Sequence, residues 1–142
     1  MIDRARVTEA LRAMLATATG KPCGLGQLPF FGGKSAPLPY TALYPQGGPV
    51  GGAPLADRAE DARLVCQVTV VATRTDQAEW LADRVRQAML GRTSTGGWVS
   101  PILVPGVYVW ARELLTDGGV TPEESGSHVV TGVHRYELSI TV

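Results

Sequence analysis

Apolar residues near the start of the chain recur on three- and four-residue steps, at Val7, Ala10, Leu11, Met14, Leu15 and Ala18, while Arg4, Arg6, Glu9 and Arg12 occupy other faces. This pattern predicts an amphipathic helix from Asp3 to Ala18, ended by Gly20. A second helix is predicted from Thr75-Asp76, with Glu79 as capping-box partner of Asp76. It turns Trp80, Leu81, Val85, Ala88 and Met89 inward before Gly91 stops it. At about 1.5 Å per residue it is roughly 22 Å long. Between the helices, Leu64 to Thr73 alternates Leu64, Cys66, Val68, Val70 and Ala72 with Val65, Gln67, Thr69, Val71 and Thr73, which reads as a strand with a mildly polar second face. Val107 to Leu115 reads as another strand. The clearest alternation closes the chain, with Tyr136, Leu138, Ile140 and Val142 buried and Arg135, Glu137, Ser139 and Thr141 solvated. Thr116 to Ser127 is then the connection between the last two strands.

Seven of the ten prolines and nine of the seventeen glycines fall between Gly20 and Pro54, broken by the apolar run Tyr40-Thr41-Ala42-Leu43-Tyr44. This stretch reads as a long irregular arm or loop with one strand inside it, and irregular segments of more than about 12–15 residues are usually functional or disordered. The expected fold is a single α+β domain over residues 1–142. It has a mixed or antiparallel sheet of about four strands, with two helices packed on one face in the order α-β-β-α-β-β. The polar alternation of the last strand lies on the open face.

Composition supports one globular domain and excludes several classes. The chain has 142 residues, 44% hydrophobic and 18% charged, with thirteen Lys or Arg against thirteen Asp or Glu. Disorder and a polybasic nucleic-acid tail do not fit this balance. No apolar run approaches the roughly eighteen residues of a membrane span, and Met1-Ile2-Asp3-Arg4 opens a polar-patterned helix instead of a signal-peptide core, so a cytoplasmic protein is expected. Divided at residues 50 and 100, the chain carries five basic and two acidic residues, then six and six, then two and five. The front is +3 and the back −3, through chance or through head-to-tail contact between copies.

Candidate chemistry is mostly negative. Gly33-Lys34-Ser35 resembles the tail of a phosphate-binding loop, but Leu28 occupies the required first glycine, and Pro37 and Pro39 stand where a helix must begin. Gly24-Leu25-Gly26 is followed by Pro29 where a dinucleotide fingerprint needs glycine. On one regular strand, His128 and His134 would stand roughly 20 Å apart and cannot share a metal. Cys66, on the apolar face of its strand, is expected to be a buried inert thiol, and Cys23 an exposed loop thiol. Asp57, Glu60 and Asp61 read as a solvated turn before the strand. Asp76, Glu79 and Asp83 complement the dipole of the second helix.

Trp80 is expected in the core, with at least one of Tyr108 and Trp110. Adjacent Phe30 and Phe31 inside a Gly/Pro-rich loop are hard to bury locally and point to contact with another subunit, as does Trp98 in Gly96-Gly97-Trp98-Val99.

Taken over its full length, the sequence resembles the tail terminator proteins of long-tailed bacteriophages, especially those infecting actinobacteria. The resemblance is carried by Val7-Thr8-Glu9-Ala10-Leu11-Arg12, Pro39-Tyr40-Thr41-Ala42-Leu43-Tyr44-Pro45, the run Asp76 to Arg86, and His134-Arg135-Tyr136-Glu137-Leu138. It implies a small domain that forms a hexameric ring, caps the tail tube, ends its polymerisation and presents the surface that joins the head. Its implied partners are further copies of itself, the tail tube protein and the head-tail connector. Genomic DNA would pass through the lumen without specific binding. Neither cofactor nor metal nor catalysis is implied, and the setting is the host cytoplasm during assembly and then the virion. The expected subunit and partner contacts are Phe30, Phe31, Trp98, Arg112, Arg135 and Glu137. Two other readings fit the same residues: another head-tail neck component, or a small enzyme or ligand-binding domain using the open sheet face, with Cys23 as its candidate nucleophile.

Overall fold

Helix α1 runs Arg4–Thr19, as its periodicity predicts. Asp3 caps its start by accepting from the Arg6 backbone N–H, and Gly20, left-handed at φ 69°, returns its N–H to the Ala16 carbonyl. The computed structural model describes residues 2–31, 33–52, 60–122 and 129–142. Asp57 and His128 lie outside the described residues. Helix α2 spans Thr75–Leu90 and buries Ala78, Leu81, Ala82, Val85, Ala88 and Met89. Two details of α2 differ from expectation. No side chain caps the helix at its first residue; instead the Thr73 N–H donates to Gln77 Oε1 at 3.3 Å. Trp80 is 43% exposed, because the buried stripe follows Ala78, Leu81, Val85 and Ala88, and residue 80 falls on the opposite side of the helix. There Arg84 lies over its ring at 5.3 Å.

The remaining chain forms β1 (Cys23–Leu25), β2 (Phe30–Phe31), β3 (Lys34–Ser35), β4 (Tyr40–Gly47), β5 (Val50–Gly52), β6 (Glu60–Ala72), β7 (Tyr108–Pro122) and β8 (Val130–Thr141). The main sheet has the order β1-β4-β6-β8-β7, and β5 pairs with the start of β6. β1 is parallel to β4 and the other pairs are antiparallel, so the sheet is mixed. β2 and β3 form a separate two-stranded hairpin. The predicted order of the long elements holds, with short strands added inside the Gly/Pro-rich stretch.

Several boundaries move. Glu60 and Asp61 belong to β6 and are not in a turn before it. β7 continues through Thr116–Pro122, a stretch read from the sequence as a connection, because bulges at three points let it follow β8 despite its glycines. Cys23, expected in the open, is 7% exposed at the start of β1. Tyr108 and Trp110 are 71% and 53% exposed. They are two residues apart and flank Val109, which takes the buried position between them.

Both helices cover one face. Their stripes meet Leu43, alternate β6 residues from Ala62 to Ala72, and Tyr136, Leu138 and Ile140 of β8 in one apolar cluster. Val142, predicted on the buried side, is 39% exposed. The opposite face carries Gln67, Thr69, Arg135, Glu137 and Ser139, as predicted, with Gln46 of β4 added beside them. A small second cluster of Ala36, Tyr40 and Val71, joined by Leu38 and Val129, covers one end of that face. Among the described residues no helix is long and apolar enough to cross a membrane.

Candidate subunit-contact surface

Among the described residues, four features leave apolar surface exposed or charged groups outside any ion pair. The first is the hairpin joining β1 to β4. Phe30 pairs with Ser35 and Phe31 with Lys34, and the Ala36 N–H donates to the Pro29 carbonyl, so the two short strands lie antiparallel. Phe30 is 54% exposed on this arm.

The second is the strap between α2 and β7. It is apolar at Ile102-Leu103-Val104 and punctuated by Pro101, Pro105 and Gly106. An extended segment laid against a core can bury only alternate side chains. Ile102 and Val104 are buried, and Leu103 is 80% exposed. Around it Trp98, Pro101, Val107 and Tyr108 line an apolar groove of about 500 Å³, with Arg112 in its wall. A second groove of about 460 Å³ lies between the strap and Ala10, Ala13 and Met14 of α1.

The third is the Arg112 environment. Bulging between Val109 and Ala111 shifts the alternation of β7, so Arg112 turns to the helix side and is buried. Its Nη1 donates at 3.3 Å to the carbonyls of Ala88 and Met89, at the negative end of α2. Nε and Nη2 are buried with no hydrogen-bond partner. Burial, with the nearby Arg92 charge, lowers its pKa to about 10, so it remains a cation at neutral pH. Two guanidinium groups lie over the Trp98 ring, Arg92 at 3.7 Å and Arg112 at 4.3 Å from its centre.

The fourth is the open sheet face. Arg135 donates through Nε and Nη2 to Gln46 Oε1 at 2.9 and 2.6 Å, and Gln46 donates to Gln67 at 3.1 Å. Next to this polar row, Glu137 of β8 stands directly opposite Glu113 of β7. Like charges in this position repel.

Phe30, Trp98, Arg112, Arg135 and Glu137 thus occupy three regions. Trp98 and Arg112 touch; Arg135 and Glu137 share the open face; Phe30 stands on the hairpin with Phe31 beside it in sequence. Leu103, Arg92 and Glu113 join them without having been singled out from the sequence, and Tyr108, one of the pair expected to supply a core residue, lines the groove instead. A Pro-bounded apolar run was the signal for Leu103.

The polar chemistry elsewhere ties elements together. His134, buried on β8, donates from Nε2 to Asp117 Oδ1 at 3.0 Å, and Asp117 also accepts from the Gly119 N–H at 2.9 Å and from Arg86 at 3.1 Å. Arg86 bridges on to Asp83 at 2.8 Å. The imidazole is held below its ordinary pKa chiefly by burial, and Asp117 is held low chiefly by the Gly119 N–H. Burial pushes the Cys66 thiol up to about 12 and raises Cys23 as well, so neither is set up as a nucleophile. Among the described residues no three His, Cys, Asp or Glu side chains group as a metal site.

No family profile matches the chain, and no curated protein matches it in sequence. A solved structure does. A chain in the virion of a native gene transfer agent particle aligns with a TM-score of 0.58 over 99% of this chain and 95% of its own, at 18% identity. This chain shares that fold. The likeness covers both helices and the whole sheet, so the sequence-derived α+β architecture has a counterpart in an assembled particle.

Proposed function

We propose that the chain is a structural protein of a tailed, phage-like particle, and specifically a tail terminator. Copies form a hexameric ring that caps the tail tube, ends its polymerisation and presents the surface to which the head connector docks. The observation that carries this reading is the fold shared along nearly the whole chain with a protein of a gene transfer agent virion. The ordered sequence similarity to tail terminators agrees with it. Exposed Phe30, Leu103 and Tyr108 add apolar surface of the kind that association covers.

In this reading the contacts between copies and with partners involve Phe30, Phe31, Trp98, Arg112, Arg135 and Glu137. The partners are the same chain, the tail tube protein and the head-tail connector. Genomic DNA passes through the lumen without specific binding, and neither nucleotide nor metal takes part. The protein works in the host cytoplasm during assembly and stays in the virion.

Native mass spectrometry over a range of salt concentrations, with the protein alone and with tail tube protein, tests the ring. A six-copy species that dissociates as salt rises is expected. A strictly monomeric protein under both conditions contradicts it.

A further inference from the structure

Arg112 and Glu113 are consecutive in β7 and serve opposite faces of the sheet. On the helix side, Arg112 is a buried cation with two donors unpartnered, and no carboxylate among the described residues compensates it. Such a charge is costly when it lacks a counter-ion. On the open side, Glu113 faces Glu137 across the strand pair, and neither forms an ion pair with another described residue. Exposed Trp110, Leu115 and Val133 lie nearby on the same two strands. One side of the subunit therefore holds an apolar groove whose wall contains a cation that no described carboxylate pairs, and the other holds two acids that form no ion pair with a described residue.

We infer that the groove lined by Trp98, Leu103, Tyr108 and Arg112 is the seat for Glu113 and Glu137 of a second copy of this chain. This rests on the ring reading above and specifies its contact. The two patches are different surfaces of one subunit, so the contact is head-to-tail and each copy offers one seat and one occupant, as a ring requires. Strand addition at the β7 edge is a poor alternative, because its three bulges break the row of backbone groups another strand would need. In the single subunit the Trp98 ring lies over the Arg112 guanidinium at 4.3 Å. Arg92, which also lies over the indole, adds to the attraction.

Two variants separate the halves of the contact. Leu103→Asp with Tyr108→Asp spoils the seat; Glu113→Lys with Glu137→Lys spoils the occupant. Circular dichroism melting checks that each variant folds. Each alone is expected to sediment as a monomer under conditions where the wild type assembles. An equimolar mixture is expected to give a one-to-one heterodimer and nothing larger, since one good seat then meets one good occupant. Arg112→Met, which keeps the bulk and removes the charge, is expected to weaken association by about tenfold or more and to flatten its salt dependence. A mixture that stays monomeric, variants that assemble like the wild type, or an Arg112→Met protein that assembles as tightly would overturn the inference while leaving the ring standing. A wild type that never assembles, even with tail tube protein, removes the ring reading itself.

Discussion

The guanidinium of Arg112 lies 4.3 Å from the centre of the Trp98 ring, over which Arg92 also lies, at 3.7 Å. This stack fastens the strap that follows α2 to the start of β7. Trp98→Ala removes both cation–π contacts and the packing of a half-buried ring, and is expected to cost about 2 kcal/mol. Trp98→Phe keeps an aromatic face and should cost less than half of that. Urea denaturation of the two variants checks the order; equal losses would show that the ring's bulk and not its face matters.

Acid should weaken the fold through His134. Burial holds its imidazole below the ordinary value of 6.5, with Asp117, Arg86 and Asp83 as the charged groups facing it. Between 6.5 and that depressed value the unfolded chain takes up a proton that the native chain refuses, so stability is full above the window and falls as pH drops through it. Asp117, also depressed, holds its contribution until pH falls below the ordinary carboxylate value of 3.8. The melting temperature of the wild type is expected to decline from pH 7 to 5, and that of His134→Gln to decline less. Parallel profiles would remove His134 as the cause.

Both thiols should be protected in the native protein. Cys66 is 4% and Cys23 7% exposed, and burial raises the pKa of each. Maleimide labelling of the native protein at pH 7.5 is expected to be at least about tenfold slower than in denaturant. Labelling of Cys23 at the unfolded rate would contradict its place in the core.

Gly48 lies where the chain passes from β4 to β5, at φ 156°, and a Cβ there would stand 1.8 Å from the Arg63 carbonyl oxygen. Backbone cannot yield as a flexible side chain does. Gly48→Ala is expected to destabilise by about 2 kcal/mol or more, measured by thermal unfolding. A neutral substitution would mean that the β4–β5 corner shifts freely away from β6.

The elements most legible in the sequence are those with one wet and one dry face. α1 shows its buried stripe from Val7 to Thr19, and β8 alternates Tyr136, Leu138 and Ile140 against Arg135, Glu137 and Ser139. Strict periodicity fails at β7, where each bulge resets which residues face inward. The reset buries Arg112 behind Val109, and without the partner strand no local signal announces it. Trp80 shows the opposite error: it reads as part of the inward stripe of α2, but the stripe is completed by Ala78 and Ala82 and leaves Trp80 outside. The hairpin was legible as exposed aromatic surface at Phe30, although its strand pairing depends on only two residue pairs. The seat around Leu103 was not legible as a site, since a strap and a strand distant in sequence must come together to form it.

The proposed role is tested most directly by electron microscopy of particles assembled without this protein. A terminator predicts tails that grow beyond their normal length and stay unattached to heads. Tails of normal length that merely fail to join would contradict termination and assign the chain to the head-tail junction instead.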